Sequence, residues 1–252
     1  MPEQQKPTFV LIHGAWAGSW VWDALKLELE AAGHAVLTLD MPGNPQHPAA
    51  EEDISMAACM AHIAAACAEI EGPLLLVGHS GGGVIATQAA EMLAERVVGV
   101  AYLAGMMLPS GTGFGQIVSD MREQYPEASG IGPFLTWEDN GQVSRVPADA
   151  IRQIFLQDVS ESIAEQAIPR FNPQAEGSRM LVPHWTDARF GKLPRLYIEA
   201  RQDRSVILPV QRRMQQLVPG ASIVSLDTGH VPQVAAPGCV ALALAEFVAS
   251  QM

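Results

Sequence analysis

The chain has 252 residues, 48% of them hydrophobic and 17% charged, and a formal net charge of −12. That composition supports a sizeable globular core and excludes a largely disordered chain. The acidity opposes nucleic acid and anionic membrane surfaces, so neither is expected as a partner. No apolar run long enough to span a bilayer and no secretory leader pattern is present, and a cytoplasmic protein is expected. Cys59, Cys67 and Cys239 form no disulfide framework and no metal-ligand spacing with histidine, so no metal is expected. Cys59 and Cys67 share a predicted helix and are read as buried small apolar residues.

Taken in chain order, Thr8–Ile12 is an apolar run ended by His13-Gly14, a strand buried on both faces. Val21–Ala32 has helical spacing and stops at Gly33. Ala35–Leu39 is the next strand, closed by the turn sequence Asp40-Met41-Pro42-Gly43. Helices are predicted over Ile54–Ile70 and Val84–Leu93, and strands over Leu74–Val77 and Val97–Leu103. This alternation implies a mostly parallel sheet covered on both faces. From Met106 to Arg189 the rhythm breaks, with only short helical pieces at Ala148–Leu156 and Ser160–Ile168. It resumes with a strand at Leu196–Ala200, a helix at Pro209–Leu217, a strand at Ser222–Leu226 and a helix at Val240–Ala249. The expected organisation is an α/β core of residues 1–105 and 190–252 with an inserted, mainly helical cap over 106–189.

The third predicted strand runs into Gly78-His79-Ser80-Gly81-Gly82, a G-x-S-x-G pattern placed between a strand and a helix. A sharp turn there strains the serine backbone and lets only small residues flank it. It would lift the Ser80 hydroxyl above the carboxyl ends of the strands, where open α/β sheets bind ligands. The Gly81 N–H, at a helix start, and the Ala15 N–H, after the first strand's His13-Gly14 turn, are the expected oxyanion donors.

A serine hydroxyl needs an imidazole to take its proton. His230, in Asp227-Thr228-Gly229-His230 beyond the last strand, is the expected base. His13 and His79 flank the site and are expected to hydrogen-bond within their own turns. His34, His47 and His62 read as surface or packing residues, and His184 beside Trp185 as a candidate substrate contact. The orienting acid should follow an earlier strand and precede the histidine, which favours Asp203 over Asp227.

The stretches Phe9-Val10-Leu11-Ile12-His13-Gly14-Ala15-Trp16, Gly18-Ser19-Trp20-Val21-Trp22 and Arg195 to Asp203, with the Gly229-His230 turn, carry a resemblance. They resemble a branch of the α/β-hydrolases that includes plant methylesterases, hydroxynitrile lyases and bacterial carboxylesterases such as pyrethroid-hydrolysing enzymes. The resemblance implies the α/β-hydrolase fold, a Ser80, Asp203, His230 triad, an oxyanion hole from Ala15 and Gly81, and cofactor-free ester hydrolysis. It also implies departures. Lyases of this type place a hydroxyl or amide side chain directly after the strand-end histidine, or a lysine after the catalytic one. Here those positions are Gly14 and Val231, which disfavours lyase activity.

The expected substrate is a small to medium, largely apolar carboxylic ester. Phe134, Trp137, His184 and Trp185, with Phe114, Leu135 and Phe155, are the candidate pocket residues of the inserted segment. A lactone hydrolase and a cofactor-free dioxygenase using the His–Asp pair are the alternatives; a non-catalytic ligand receptor is disfavoured. Dimers form through the cap on the fold resembled, and a homodimer is compatible with this sequence.

Overall fold

The computed structural model describes residues 5–50, 53–138 and 141–251. Its centre is a six-stranded parallel sheet in the order β2-β1-β3-β4-β8-β9. The strands are β1 (Thr8–Ile12), β2 (Val36–Leu39), β3 (Leu74–His79), β4 (Val97–Leu103), β8 (Arg195–Ala200) and β9 (Ala221–Leu226). Crossovers in the first half are α1 (Asp23–Ala31), α2 (Met56–Ala68) and α3 (Gly82–Met92).

Side chains of successive strand residues point to opposite faces, and the two cores divide accordingly. Val10, Ile12, Leu74, Leu76, Val100 and Tyr102 pack under α2 and α3, including Cys59 and Cys67 of α2. Phe9, Leu11, Leu75, Val77, Ala101 and Leu103 pack under α1 and the C-terminal helix. Both faces being covered explains why the inner strands read as unbroken apolar runs. The edge strand β9 alternates between half-buried and exposed residues, so only the inner strands fit the expectation of full burial.

Between β4 and β8 the chain forms α4 (Phe114–Met121), then three short strands, β5 (Thr136–Glu138), β6 (Val143–Arg145) and β7 (Gln174–Ala175). These pair antiparallel in the order β5-β6-β7. Enclosed between β6 and β7 are α5 (Ala148–Ala150), which continues as a π-helical turn over Ile151–Phe155, and α6 (Glu161–Ala167). After β7 comes α7 (Glu176–Arg179). The sequence predicts only helical pieces here; the small sheet is additional. Its strands of two or three residues are too short to leave an alternation in the sequence. The chain closes with α8 (Leu208–Leu217), α9 (Pro232–Ala235) and α10 (Pro237–Gln251). Among the described residues no helix is long and apolar enough to cross a membrane.

The turn from β3 into α3 is the tightest point of the core. A Cβ on Gly82 would lie 2.4 Å from the Ile12 carbonyl oxygen and 2.6 Å from that of His13. The start of α3 therefore rests on the end of β1 with no room for a side chain. Gly115, exposed within α4, has nothing within 4 Å of the same position. Gly82→Ala should lower the unfolding free energy by about 3 kcal/mol, while Gly115→Ala should raise it by ~0.5–1 kcal/mol. Urea denaturation of both variants reads the contrast; equal effects would contradict it.

Candidate active site

Ser80 sits in the left-handed region at φ +50, one of three non-glycine residues with positive φ among those described. Its backbone is held on both sides: the N–H donates to the Leu103 carbonyl at 3.2 Å, and its carbonyl accepts from Gly83 at 3.0 Å and Met106 at 2.8 Å. The side chain is thereby raised above the carboxyl ends of β3 and β4, at the N-terminus of α3.

His230 and Asp203 come from the loops that follow β9 and β8. His230 Nδ1 lies 2.8 Å from Asp203 Oδ2, and both side chains are almost fully buried. The other carboxylate oxygen, Oδ1, accepts from the Ser205 N–H at 2.7 Å and the Val206 N–H at 2.9 Å. These two donors aim Asp203 at the imidazole. Asp227 is exposed, and the carboxylate in contact with His230 is that of Asp203.

Ser80 and His230 face one small cavity of about 10 Å³, shared with Phe155, Phe171 and Val231. Among the described residues no hydrogen bond yet joins the serine hydroxyl to His230, and such bonds often tighten only with substrate. On its other side Ser80 opens into a larger cavity of about 260 Å³. That cavity also meets Ala15 and Gly81. The Ala15 nitrogen lies 3.9 Å from where a Gly81 Cβ would be, and neither N–H takes a protein acceptor among the described residues. Two unspent donors thus border the serine.

His13 bonds within its own turn as expected and also beyond it, whereas His79, against expectation, makes no side-chain hydrogen bond within its own turn among the described residues. His13 does bond to Gly14, at 2.8 Å, but its Nε2 also accepts from the Met41 N–H at 3.1 Å. His79 reaches outward instead: its Nε2 donates to the His230 carbonyl at 2.7 Å, tying the serine turn to the histidine loop. Burial depresses the basicity of both rings, and His79 is pushed well below the usual histidine range, with neighbouring His230 adding to the effect.

The inserted segment grips the site from above. The Phe155 ring stacks on the His230 imidazole, with centroids 5.0 Å apart. Asp158 accepts the Gly229 N–H at 2.5 Å, Gln157 donates to the Gln202 carbonyl at 2.9 Å, and Arg204 donates to the Gln153 carbonyl at 2.9 Å. One short stretch therefore brackets both loops that carry His230 and Asp203. Trp16, at φ +58, is fixed likewise: its indole donates to Ser144, its N–H to Gln174, and its carbonyl accepts from Asn172.

Five expected pocket residues, Phe134, Leu135, Trp137, His184 and Trp185, line neither cavity; Leu135 packs instead against the apolar cluster around Ile131, Ile151 and Phe155. Phe134 and Trp137 are about half exposed. His184 is exposed and its backbone N–H is held by Gln88. Trp185 packs on Phe190 and donates to the Leu108 carbonyl, on the flank of the core. Aromatic type alone does not tell an outward-facing residue from a pocket residue in a segment without periodicity. Phe114 lines the larger cavity and Phe155 the smaller one. Gln174, Glu176 and Arg179, which also line the larger cavity, carry no signal in the local sequence.

Residues 9–242 match the model of the alpha/beta hydrolase family. The chain belongs to that family. A pyrethroid hydrolase of Sphingobium wenxiniae is 30% identical over 248 residues, covering 94% of this chain and 86% of its own. Methylesterase 7 of Arabidopsis thaliana is 24% identical over 259 residues, covering 94% of each. The crystal structure of a pyrethroid hydrolase from Sphingobium faniae JZ-2 superposes with a TM-score of 0.86 at 27% identity, covering 97% of this chain and 98% of that one. The relatives carry the names of esterases and hydrolases, as the resemblance implies, and fit a carboxylesterase-type hydrolase.

The buried histidines make stability depend on pH. Where the folded-state pKa lies below that of the unfolded chain, the unfolded chain binds more protons once pH falls below about 6.5. Stability present above that pH is then lost on acidification, by at most ~1.4 kcal/mol per pH unit for each such histidine. His79→Gln, which keeps a donor for the His230 carbonyl, should flatten the decline between pH 6.5 and 5. Urea titrations at several pH values read it; an unchanged slope would contradict a neutral, buried His79.

Proposed function

We propose that this hydrolase cleaves carboxylic esters through an acyl-enzyme on Ser80. The observation that carries the reading is the buried Asp203–His230 pair facing, across one small cavity, a serine held in a strained turn beside two unspent N–H groups. The Ser80 oxygen attacks the ester carbonyl carbon as His230 Nε2 takes its proton. Charge gathers on the carbonyl oxygen, where the Ala15 and Gly81 N–H groups stabilise it. The intermediate collapses, the C–O bond to the alcohol breaks, and His230 returns the proton to the departing oxygen. Water then takes the alcohol's place, gives a proton to His230 and attacks the acyl carbon. Ser80 recovers that proton as the acid leaves. Asp203 holds the imidazole in one tautomer and stabilises its charged form.

The two cavities divide the substrate. The leaving oxygen must face His230, which lines not the larger cavity but the small one, and this favours a short alcohol side. That space suits one water or a methyl-sized group. The acyl part lies in the larger cavity, among Met41, Ile85, Phe114, Val118 and Ile131. We assign segment 106–189 the role of a cap over both. Lyase chemistry lacks its groups: a side chain at Gly14 would meet the Ser80 Cβ at 2.9 Å, and Val231 is buried and apolar.

Two isomeric esters test both the chemistry and its orientation. Methyl octanoate should be hydrolysed with kcat/KM at least about tenfold above that of heptyl acetate, followed by acid release. Ser80→Ala should lower either rate by roughly 10³-fold or more. Equal rates for the isomers would overturn the orientation; retained activity in Ser80→Ala would overturn the mechanism.

A further inference from the structure

The larger cavity is mostly apolar, with His13, Asn44, Ser80, Ser129 and Ser205 adding neutral polar groups, and β7 and α7 supply the wall that carries charge. Among the described residues lining it, Glu176 and Arg179 alone are charged. One Arg179 nitrogen, Nη1, donates to both Glu176 carboxylate oxygens at 2.8 Å. Its guanidinium also lies 4.6 Å over the Trp16 ring. Trp16 is in turn pinned by Ser144 and Gln174, so Arg179 is a fixed donor array and not a loose surface side chain.

The other polar groups of this wall are already spent. Gln174 accepts the Trp16 N–H through Oε1 and bonds to Ser178 through Nε2, while Ser178 donates to the Ala175 carbonyl at 2.6 Å. Guanidinium carries five N–H donors. Among the described residues, Arg179 Nε and Nη2 make no hydrogen bond. Partly buried donors beside an apolar cavity favour a ligand that brings an acceptor, because a plain hydrocarbon leaves them without partners. The acceptor's charge is also constrained. Glu176 already neutralises Arg179, and the chain as a whole carries −12, so an anionic group gains little from Arg179 and is repelled by Glu176.

We infer that Arg179 is a specificity-determining residue, and that the site takes esters whose acyl part carries a neutral oxygen acceptor, a ketone or an ether, some distance from the ester carbonyl. This rests on the proposed ester hydrolysis with the acyl part in the larger cavity. Arg179 plays no part in the bond-breaking steps. It replaces the water that the acceptor gives up on entering, and so acts on binding.

The test compares methyl octanoate with methyl 4-, 5-, 6- and 7-oxooctanoate, and with the half-ester anion monomethyl suberate. In the wild type at least one keto-ester should exceed methyl octanoate by about tenfold in kcat/KM, mostly through a lower KM. In Arg179→Met that advantage should shrink to within about twofold. The double variant Glu176→Gln, Arg179→Met, which leaves no unpaired carboxylate, should behave alike. The ratio between substrates is taken within each variant, so partial loss of folded enzyme does not alter it. No keto-ester preference, or a preference that survives loss of Arg179, would overturn the inference. Preference for the suberate anion would also overturn it, in favour of ionic recognition. Calorimetric titration of Ser80→Ala with the same esters reads the preference without turnover, so failure of the proposed chemistry and failure of this inference stay distinguishable.

Discussion

The backbone of Ser80 is the constraint on which the rest of the site depends. A non-glycine residue in the left-handed region costs on the order of 1–3 kcal/mol and persists only where its surroundings leave no alternative. Here β1, β3, β4 and α3 all supply that insistence. The carbonyl oxygens at the end of β1 touch the start of α3, the end of β4 accepts the Ser80 N–H, and Met106 donates back to its carbonyl. The strain therefore rests on the most deeply buried part of the sheet. What it achieves is placement: a hydroxyl at a helix N-terminus, above the strands, with unspent backbone donors beside it.

The histidine loop is secured from two directions, and each joins parts of the chain far apart in sequence. From the core side, His79 donates to the His230 carbonyl, so the residue next to Ser80 also fixes the His230 loop. From the other side, Phe155 covers the imidazole and Asp158 holds the preceding Gly229 N–H. Trp16, next to the expected oxyanion donor Ala15, is bound to β6 and β7 in the same way. The segment between β4 and β8 is thus a structural part of this cluster of residues. Displacing it would disturb the His230 loop and the Ala15-Trp16 loop together.

How much of this was legible in the sequence follows from the range of each interaction. The strands and helices of the core were readable because burial on both faces leaves long apolar runs, and Thr8–Ile12 and Val97–Leu103 have the bounds the pattern predicts. The strand-to-helix turn at Ser80 was readable because it demands glycine at fixed offsets. Asp203 and His230 follow strands in the expected order, and the structure brings them into contact. The pocket wall was not readable. Arg179 owes its position to Trp16, more than 150 residues earlier in the chain, and β5, β6 and β7 are too short for periodicity. Trp137 and Phe134 show the converse: their hydrophobicity marks them as buried, yet tertiary placement leaves them half exposed.

The central claim, that Ser80 is the activated nucleophile, is tested most directly by covalent capture. The protein would be treated with diisopropyl fluorophosphate, which phosphorylates an activated serine hydroxyl with loss of fluoride, and its intact mass and tryptic peptides measured. The account predicts a single adduct on Ser80, absent from Ser80→Ala and formed at a rate at least about a hundredfold lower in His230→Ala. An unmodified protein, or an adduct on another residue that survives Ser80→Ala, would contradict it.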